Sequence, residues 1–279
     1  MKTRFLNIFI LSLAIALASC DEPFKLDPKQ TVEKVVIEGL VTDQPNRQSV
    51  KLSKTNSFYS TGPSPRISNA VVTVSDDLGK TVNFIHNPRN HRDSVGIYIP
   101  EEAFTGEIGR TYKLRVDIEG EIFEAEDMLA QVSKIDSLSY EIDEDEVDDP
   151  EVEGKIYEVL MYIKEPKDEV NFYLIKFYRN GVLTLYDNND IYISDDEILA
   201  ENIDGVAGPT IYGIGDEAKV ELYSLSRRGY VFYSDLSNIL NGDGGMFGPV
   251  PSSPRTNLSN GALGFFQVSA IQSNTIKVE

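Results

Sequence analysis

The sequence predicts a mostly β protein, and three observations support this fold class. Short segments rich in β-branched residues recur along the chain, and clusters of Asn, Asp, Gly or Pro separate most of them, which is typical of antiparallel sheets. A single segment has a clear helical pattern. The hydrophobic content of 41%, with 13 Phe and 14 Tyr, is sufficient for a packed core.

The first twenty residues have the pattern of a signal peptide. Lys2 and Arg4 precede an almost unbroken apolar stretch at residues 5–18, which is shorter than the roughly 20 residues of a transmembrane helix. The ending Leu-Ala-Ser-Cys at residues 17–20 resembles the bacterial lipobox, whose Cys becomes the acylated N-terminus. Cys20 is also the only Cys in the chain. We therefore expect a signal peptide at residues 1–19 and a Cys20 that carries fatty acyl chains such as palmitate.

Residues 20–30 are predicted to form a polar tether. Asp21 and Glu22 have two interpretations that the sequence leaves open: the start of this tether, or a signal for surface export like that of Bacteroidota lipoproteins. Removal of residues 1–19 takes away two basic residues and no acid, so the net charge changes from −19 to −21. Because anionic head groups repel such a body, we expect it to stand away from the membrane surface.

Residues 31–130 are predicted to form an immunoglobulin-like or transthyretin-like β-sandwich. Leu114, Val116 and Ile118 alternate with polar neighbours, as the side chains of a half-buried strand do. Turn residues at 76–79 and 119–120 lie where hairpins need them. The predicted strands are 35–41, 50–52, 70–74, 81–85, 97–99, 111–118 and 121–125.

An acidic segment at residues 141–153 follows this domain. Nine of its thirteen residues are Asp or Glu, which predicts an exposed loop or linker. Its carboxylates are also the ligand type of calcium sites, but their spacing matches no calcium loop that we recognise. The run Asp-Asn-Asn-Asp at residues 187–190 is interpreted as a turn, because it lacks the Gly and Glu of a calcium-binding loop.

Residues 131–279 are predicted to form a β-rich domain with one amphipathic helix. Asn180-Gly181 is a strong hairpin signal, and apolar residues on both faces of segment 171–179 predict a central strand. Ser226 is the predicted N-cap of a helix at 227–240, where apolar residues recur at helical spacing, and Asn241-Gly242 ends it. The predicted strands are 156–163, 171–179, 182–186, 219–225 and 263–270.

Composition and motifs argue against several function classes. The net charge of −19 opposes nucleic-acid binding, which depends on cationic side chains. His86 and His91 are separated by a polar segment containing Pro88, which is not a helix face that presents two imidazoles to one metal. Phosphate-binding and serine-hydrolase motifs do not occur in the sequence. We therefore predict no metal, no cofactor and no catalytic residues.

The sequence contains five motifs in this order: residues 35–43, 69–74, 135–138, 225–226 and 257–266. Together they resemble the Bacteroidota lipoproteins grouped as domain of unknown function family 4249. The resemblance covers essentially the whole mature chain and implies a cell-envelope lipoprotein, with no established activity, often encoded beside a TonB-dependent outer-membrane receptor. Residues 70–74 and 109–114 also resemble carboxypeptidase-regulatory or transthyretin-like modules, which concerns the fold alone.

The predicted function is that of a non-catalytic accessory or ligand-binding lipoprotein of the outer membrane, working with a TonB-dependent receptor. Met246, Phe247 and Val250 place apolar groups in a Gly-rich and Pro-rich loop, and this loop either contacts the partner or packs on its own domain. The alternatives are a surface adhesion or structural module, and a carboxylate-dependent hydrolase, since 45 acidic residues offer many carboxylate pairs.

Overall fold

The computed structural model describes residues 32–56, 60–148, 150, 152–164, 170–185, 190–195, 202–242 and 252–279. Cys20 and the predicted contact residues Met246, Phe247 and Val250 lie outside these ranges, as do residues 187–189 of the predicted turn. Among the described residues, no helix has the length and apolar content that crossing a membrane requires.

The protein is mostly β, as the sequence predicts. Two α-helices occur among the described residues, α1 (Asp145–Asp148) and α2 (Arg227–Leu240). The strands are β1 (Val35–Thr42), β2 (Ser49–Lys54), β3 (Val71–Asp76), β4 (Thr81–His86), β5 (Ile97–Pro100), β6 (Thr111–Ile118), β7 (Glu121–Met128), β8 (Ile135–Ile142), β9 (Tyr157–Lys164), β10 (Phe172–Arg179), β11 (Val182–Thr184), β12 (Tyr192–Asp195), β13 (Asn202–Ala207), β14 (Glu217–Leu225), β15 (Leu263–Ser269) and β16 (Ile271–Lys277).

The first sheet has eight strands in the order β15-β1-β2-β5-β4-β3-β6-β7. Its two edges meet, because Ala130 beyond β7 forms a parallel bridge with Ser269 of β15. Val268 also donates its backbone N–H to the carboxylate of Asp127, at 3.1 Å. Burial raises the pKa of Asp127 to about 6, against hydrogen bonds that lower it. The sheet therefore curls towards a barrel, and a strand from the far end of the chain completes it.

Hairpin turns in this sheet follow from local sequence. Glu119 and Gly120 join β6 to β7 with φ angles of 54° and 92°, the left-handed conformations of a tight hairpin turn. In the β3–β4 turn, the Asp76 carboxylate accepts the backbone N–H groups of Leu78 at 3.0 Å and Lys80 at 2.9 Å. Both turns lie where the sequence predicts them.

The remaining strands form two smaller sheets. One has the order β11-β10-β14-β16, with β12 also paired to β10, and the other has the order β13-β9-β8. Asn180 and Gly181 join β10 to β11 with φ angles of 52° and 77°, as predicted. The chain passes from β15 in the first sheet to β16 in the second at Ala270, which is fully buried.

Strand β10 is covered on both faces over its first half. Tyr173 and Ile175 belong to the largest apolar cluster, which also contains Leu114 of the first sheet. On the opposite face Leu174 packs in a smaller cluster with residues of α2. The predicted central position of this strand is therefore correct. The face that carries Leu174 is apolar only up to Lys176, although it was predicted to be apolar throughout.

Helix α2 begins and ends where the sequence predicts. The side chain of Ser226 accepts the backbone N–H of Gly229 at 3.1 Å, and Asn241 is the C-terminal cap. Phe232 is buried and stacks on Phe265 of β15, with ring centroids 5.0 Å apart. The helix thus covers one face of the strands through its aromatic residues.

Four strands were not predicted as such: β8, β12, β13 and β16. Glu141 and Ile142 end β8, where they pair with β9, and α1 follows inside the acidic segment. The prediction of a loop throughout 141–153 is therefore wrong at these positions, although most of the described side chains there are exposed. Pairing with β9 stabilises these residues as a strand, although their acidic sequence does not favour one.

The described residues of Glu33–Asn56 and Thr61–Glu279 form one compact unit. Strands β15 and β16 link its first two sheets through Ala270. The predicted division into domains at residues 31–130 and 131–279 stays a prediction.

Candidate functional site

Strands β10 and β14 carry a group of polar side chains on the face that Leu174 also occupies. Their antiparallel register places Lys176 opposite Glu221, and Tyr178 opposite Lys219. Because side chains alternate between the faces of a strand, these residues and Tyr223 share one face. Arg47, from the loop between β1 and β2, reaches the same face. We call Glu221, Arg47, Lys219, Tyr178 and Tyr223 the Glu221 network.

Glu221 is the centre of this network and is 2% exposed. Arg47 approaches it in a bidentate manner, with Nη2 at 2.6 Å from Oε1 and Nη1 at 3.2 Å from Oε2. Lys219 Nζ donates to Oε1 at 2.9 Å. The hydroxyls of Tyr178 and Tyr223 donate to Oε2 at 3.0 Å and 2.8 Å. Five donor contacts therefore occupy the two carboxylate oxygens.

The protonation states in the network follow from these contacts. Burial alone would raise the pKa of Glu221, but hydrogen bonds from Arg47, Lys219 and Tyr223 outweigh it and lower the pKa to about 2. Burial and the charge of Glu221 raise the pKa of Tyr178 to about 12, and they raise that of Tyr223 as well. At neutral pH the network is a carboxylate held by two cations and two neutral phenols. Its carboxylate fastens the β1–β2 loop to the second sheet.

Lys176 lies beside this network without an acceptor of its own. Its Nζ is 4.4 Å from the centroid of the Tyr223 ring, a cation–π distance. Among the described residues, no acceptor lies within hydrogen-bond distance of that ammonium. Burial is the main reason why the pKa of Lys176 lies below its usual value. The charge of Glu221 opposes this effect, and the charge of Arg47 adds to it.

A cavity of about 210 Å³ opens beside Lys176. It lies where β11 ends and β12 begins, along the same edge of β10. Its polar wall includes Lys176, Asp190 and Tyr233. The hydroxyl of Tyr192 donates to Asp190 at 2.9 Å, and that of Tyr233 donates to Gln267 at 2.6 Å. Apolar wall contacts come from Leu174, Phe177, Leu183, Leu185 and Ile191.

The two histidines lie in different surroundings and make different hydrogen bonds. His86, at the end of β4, accepts the backbone N–H of Gly96 through Nε2 at 2.9 Å. His91 is exposed and accepts the N–H of Asp93 through Nδ1 at 3.2 Å. Within the described part of the chain, no group of three His, Cys, Asp or Glu side chains is arranged to hold a metal.

Two tyrosines of α2 have different surroundings. Tyr230 packs against Phe172, with ring centroids 4.9 Å apart, whereas Tyr233 lines the cavity. The sequence reasoning missed Arg47, Lys176 and Glu221. The sequence did contain a signal for a buried polar group. Lys219 and Glu221 alternate with apolar residues in β14, and β10, its partner strand, was predicted to be covered on both sides.

Comparison with known proteins adds a family and no activity. No curated protein matches the chain. The family model described as a domain of unknown function matches residues 21–275, a range that begins before β1 and ends within β16. Since this match covers most of the sequence, the chain belongs to the DUF4249 family, a domain of unknown function.

Proposed function

We propose that the protein is a lipid-anchored ligand-binding protein of the cell envelope that works beside a TonB-dependent receptor without catalysing a reaction. The observation that carries the binding role is the cavity of about 210 Å³ beside Lys176. Concave sites with an apolar wall and a few polar groups are typical of small-molecule binding. The most buried carboxylate nearby, Glu221, already has five donors and is better suited to holding the fold than to proton transfer.

The lipobox at residues 17–20 supports the anchor. Two or more acyl chains give stable membrane attachment, and the net charge of −21 left after removal of residues 1–19 keeps the body from lying on anionic lipid. The resemblance to Bacteroidota lipoproteins supports the outer membrane as the location. A surface-export signal at Asp21 and Glu22 belongs to the same proposal.

The partnership with a receptor rests on that resemblance and on a physical argument. Attachment of both proteins to one membrane raises their effective concentration, so a modest interface is sufficient to keep them associated. The proposed contact is the loop that contains Met246, Phe247 and Val250.

Replacing Cys20 by Ala tests the anchor. We expect the precursor to remain uncleaved at residue 19 and to incorporate no labelled fatty acid, because the acylated sulfur is gone. Metabolic labelling followed by gel analysis measures both effects. Label in the Ala variant equal to that in the natural protein would show that acylation occurs elsewhere.

Affinity purification from detergent-solubilised envelopes tests the partnership. We expect the tagged natural protein to recover an outer-membrane receptor at low salt, and we expect Phe247→Ala and Val250→Asp to reduce the recovery several-fold. Ile214→Asp is the control, because Ile214 is an apolar side chain that is 71% exposed, in the turn that precedes β14.

Failure of the natural protein to recover any receptor would overturn the partnership. Equal recovery by the natural protein and both loop variants would keep the partnership and move the contact away from this loop.

A further inference from the structure

Cationic side chains outnumber the carboxylate in the group beside the cavity. Arg47 and Lys219 bind the carboxylate of Glu221, and Lys176 lies opposite it on the same face of the second sheet. Arg47, Lys219 and two phenols occupy both oxygens of that carboxylate. Lys176 lies opposite Glu221 and is affected by its charge, but no described side chain accepts a hydrogen bond from its ammonium, and it lines the cavity.

From this juxtaposition we propose that the cavity binds a small amphipathic carboxylate, whose apolar body lies against Leu174, Leu183 and Ile191 and whose carboxylate pairs with Lys176. This inference rests on the proposed ligand-binding function and names the ligand class. A pair between an ammonium and a carboxylate is strongest where water is excluded. A carboxylate next to the ammonium would favour its charged form, in addition to the charge of Glu221.

The size of the cavity limits the ligand. A cavity of about 150 Å³ is enough to bind benzene, and drug-sized ligands need roughly 300 Å³ or more. The observed volume of about 210 Å³ lies between these limits. A chain of about six carbons with one head group suits this space. Leu183 and Leu185 are 46% and 39% exposed, so the cavity is accessible from solvent on that side.

Asp190 also lines the cavity and would repel a carboxylate placed next to it. Its side chain accepts the hydroxyl of Tyr192. The test therefore includes a cationic probe, because a ligand that pairs with Asp190 instead of Lys176 would carry an ammonium group.

The experiment is calorimetric titration of the mature chain, residues 20–279, produced without the leader so that Cys20 stays unmodified. Three probes share one apolar body and differ in the head group: hexanoate, hexanol and hexylamine. We expect hexanoate to bind about tenfold or more tightly than hexanol, as a charge-assisted hydrogen bond implies. Hexylamine should bind more weakly than hexanol.

Lys176→Met keeps the apolar stem of the side chain and removes its charge. It should weaken hexanoate binding about tenfold or more and leave hexanol binding within about twofold. Lys219→Met is the matched control. It removes the same charge from the neighbouring strand, where Lys219 Nζ lies 4.3 Å from the ring centroid of Tyr178, yet Lys219 does not line the cavity.

A second variant tests the cavity independently, in case the lysine variant does not fold. Leu183→Asp changes a partly exposed side chain and places a negative charge at the cavity wall. It should weaken hexanoate binding about tenfold or more while the melting temperature stays near that of the natural protein.

Hexanoate binding no tighter than that of hexanol, or equal losses in Lys176→Met and Lys219→Met, would overturn the assignment of Lys176 and of the ligand class. Preferential binding of hexylamine would do the same and would assign the head group to Asp190. Binding of none of the three probes would overturn the inference as well. The receptor partnership is judged by affinity purification alone, so the two failures are distinguishable.

Discussion

Replacing Gly264 by alanine should lower the free energy of unfolding by more than about 4 kcal/mol, which is exceptional for one methyl group. Gly264 lies in β15 opposite Ile37 of β1 in the parallel pair. A Cβ at this position would overlap the carbonyl oxygen of Ile37, which belongs to the sheet and cannot rotate away. The φ angle of 97° adds backbone strain for any residue with a side chain. Denaturant unfolding of the mature protein measures the loss.

Gly120→Ala is the matched control for this change. Gly120 has a φ angle of 92°, but a Cβ there would meet no atom within 4 Å. Its replacement should therefore cost only the backbone strain, about 1 to 2 kcal/mol. A loss of similar size in both variants would show that strain, and not the contact with Ile37, determines the effect at Gly264.

Replacing Glu221 by Gln should lower the free energy of unfolding by about 2 kcal/mol at pH 7. The amide keeps the shape of the buried carboxylate, but Arg47 and Lys219 lose the anion that accepts their hydrogen bonds. Because these two cationic side chains are 36% and 29% exposed, water replaces part of the lost interaction, and the loss stays below that of a fully buried ion pair.

The pH dependence distinguishes this explanation from a loss of packing. The pKa of Glu221 is lowered from 4.5 to about 2 in the folded protein. Its stabilising contribution is therefore fully present above pH 4.5 and is lost as the pH falls towards 2. The difference in stability between the natural protein and Glu221→Gln should decrease over that range, whereas a packing defect would give a difference independent of pH.

Glu38→Gln is the control for loss of a surface ion pair. Glu38 lies 2.8 Å from Lys51, and its side chain is 53% exposed. Such pairs contribute less than about 1 kcal/mol, so this variant should unfold almost like the natural protein. A cost at Glu38 equal to that at Glu221 would contradict the role assigned to burial.

Local rules predicted much of the secondary structure. The turns at Glu119-Gly120 and Asn180-Gly181 were found because few residues adopt positive φ angles at low cost. Ser226 marked the start of α2 because its hydroxyl accepts an otherwise unpaired N–H group. Strands β8 and β16 were missed because their composition is weakly β-like and their partners stabilise them.

The candidate site could not be predicted from the sequence, because contacts between distant segments create it. Arg47 and Glu221 are 174 positions apart, and no periodicity within either segment indicates that they meet. The cavity likewise depends on β11 and β12 sharing one edge of β10. In the structure, hydrogen-bond donors occupy both oxygens of Glu221, whereas Lys176 lines a cavity. The residue types alone do not reveal this difference.

The sequence by itself determined the fold class, the hairpins, the helix and the family, because alternation, turn residues and caps act within a few positions along the chain. Only the tertiary structure decided that β15 pairs with β1 in parallel and that β16 then continues into the second sheet through Ala270. It also decided which charges are paired. The physical reason is that parallel pairing, curling of a sheet and burial of an ion pair depend on segments far apart in sequence, whose meeting depends on the packing of the whole chain.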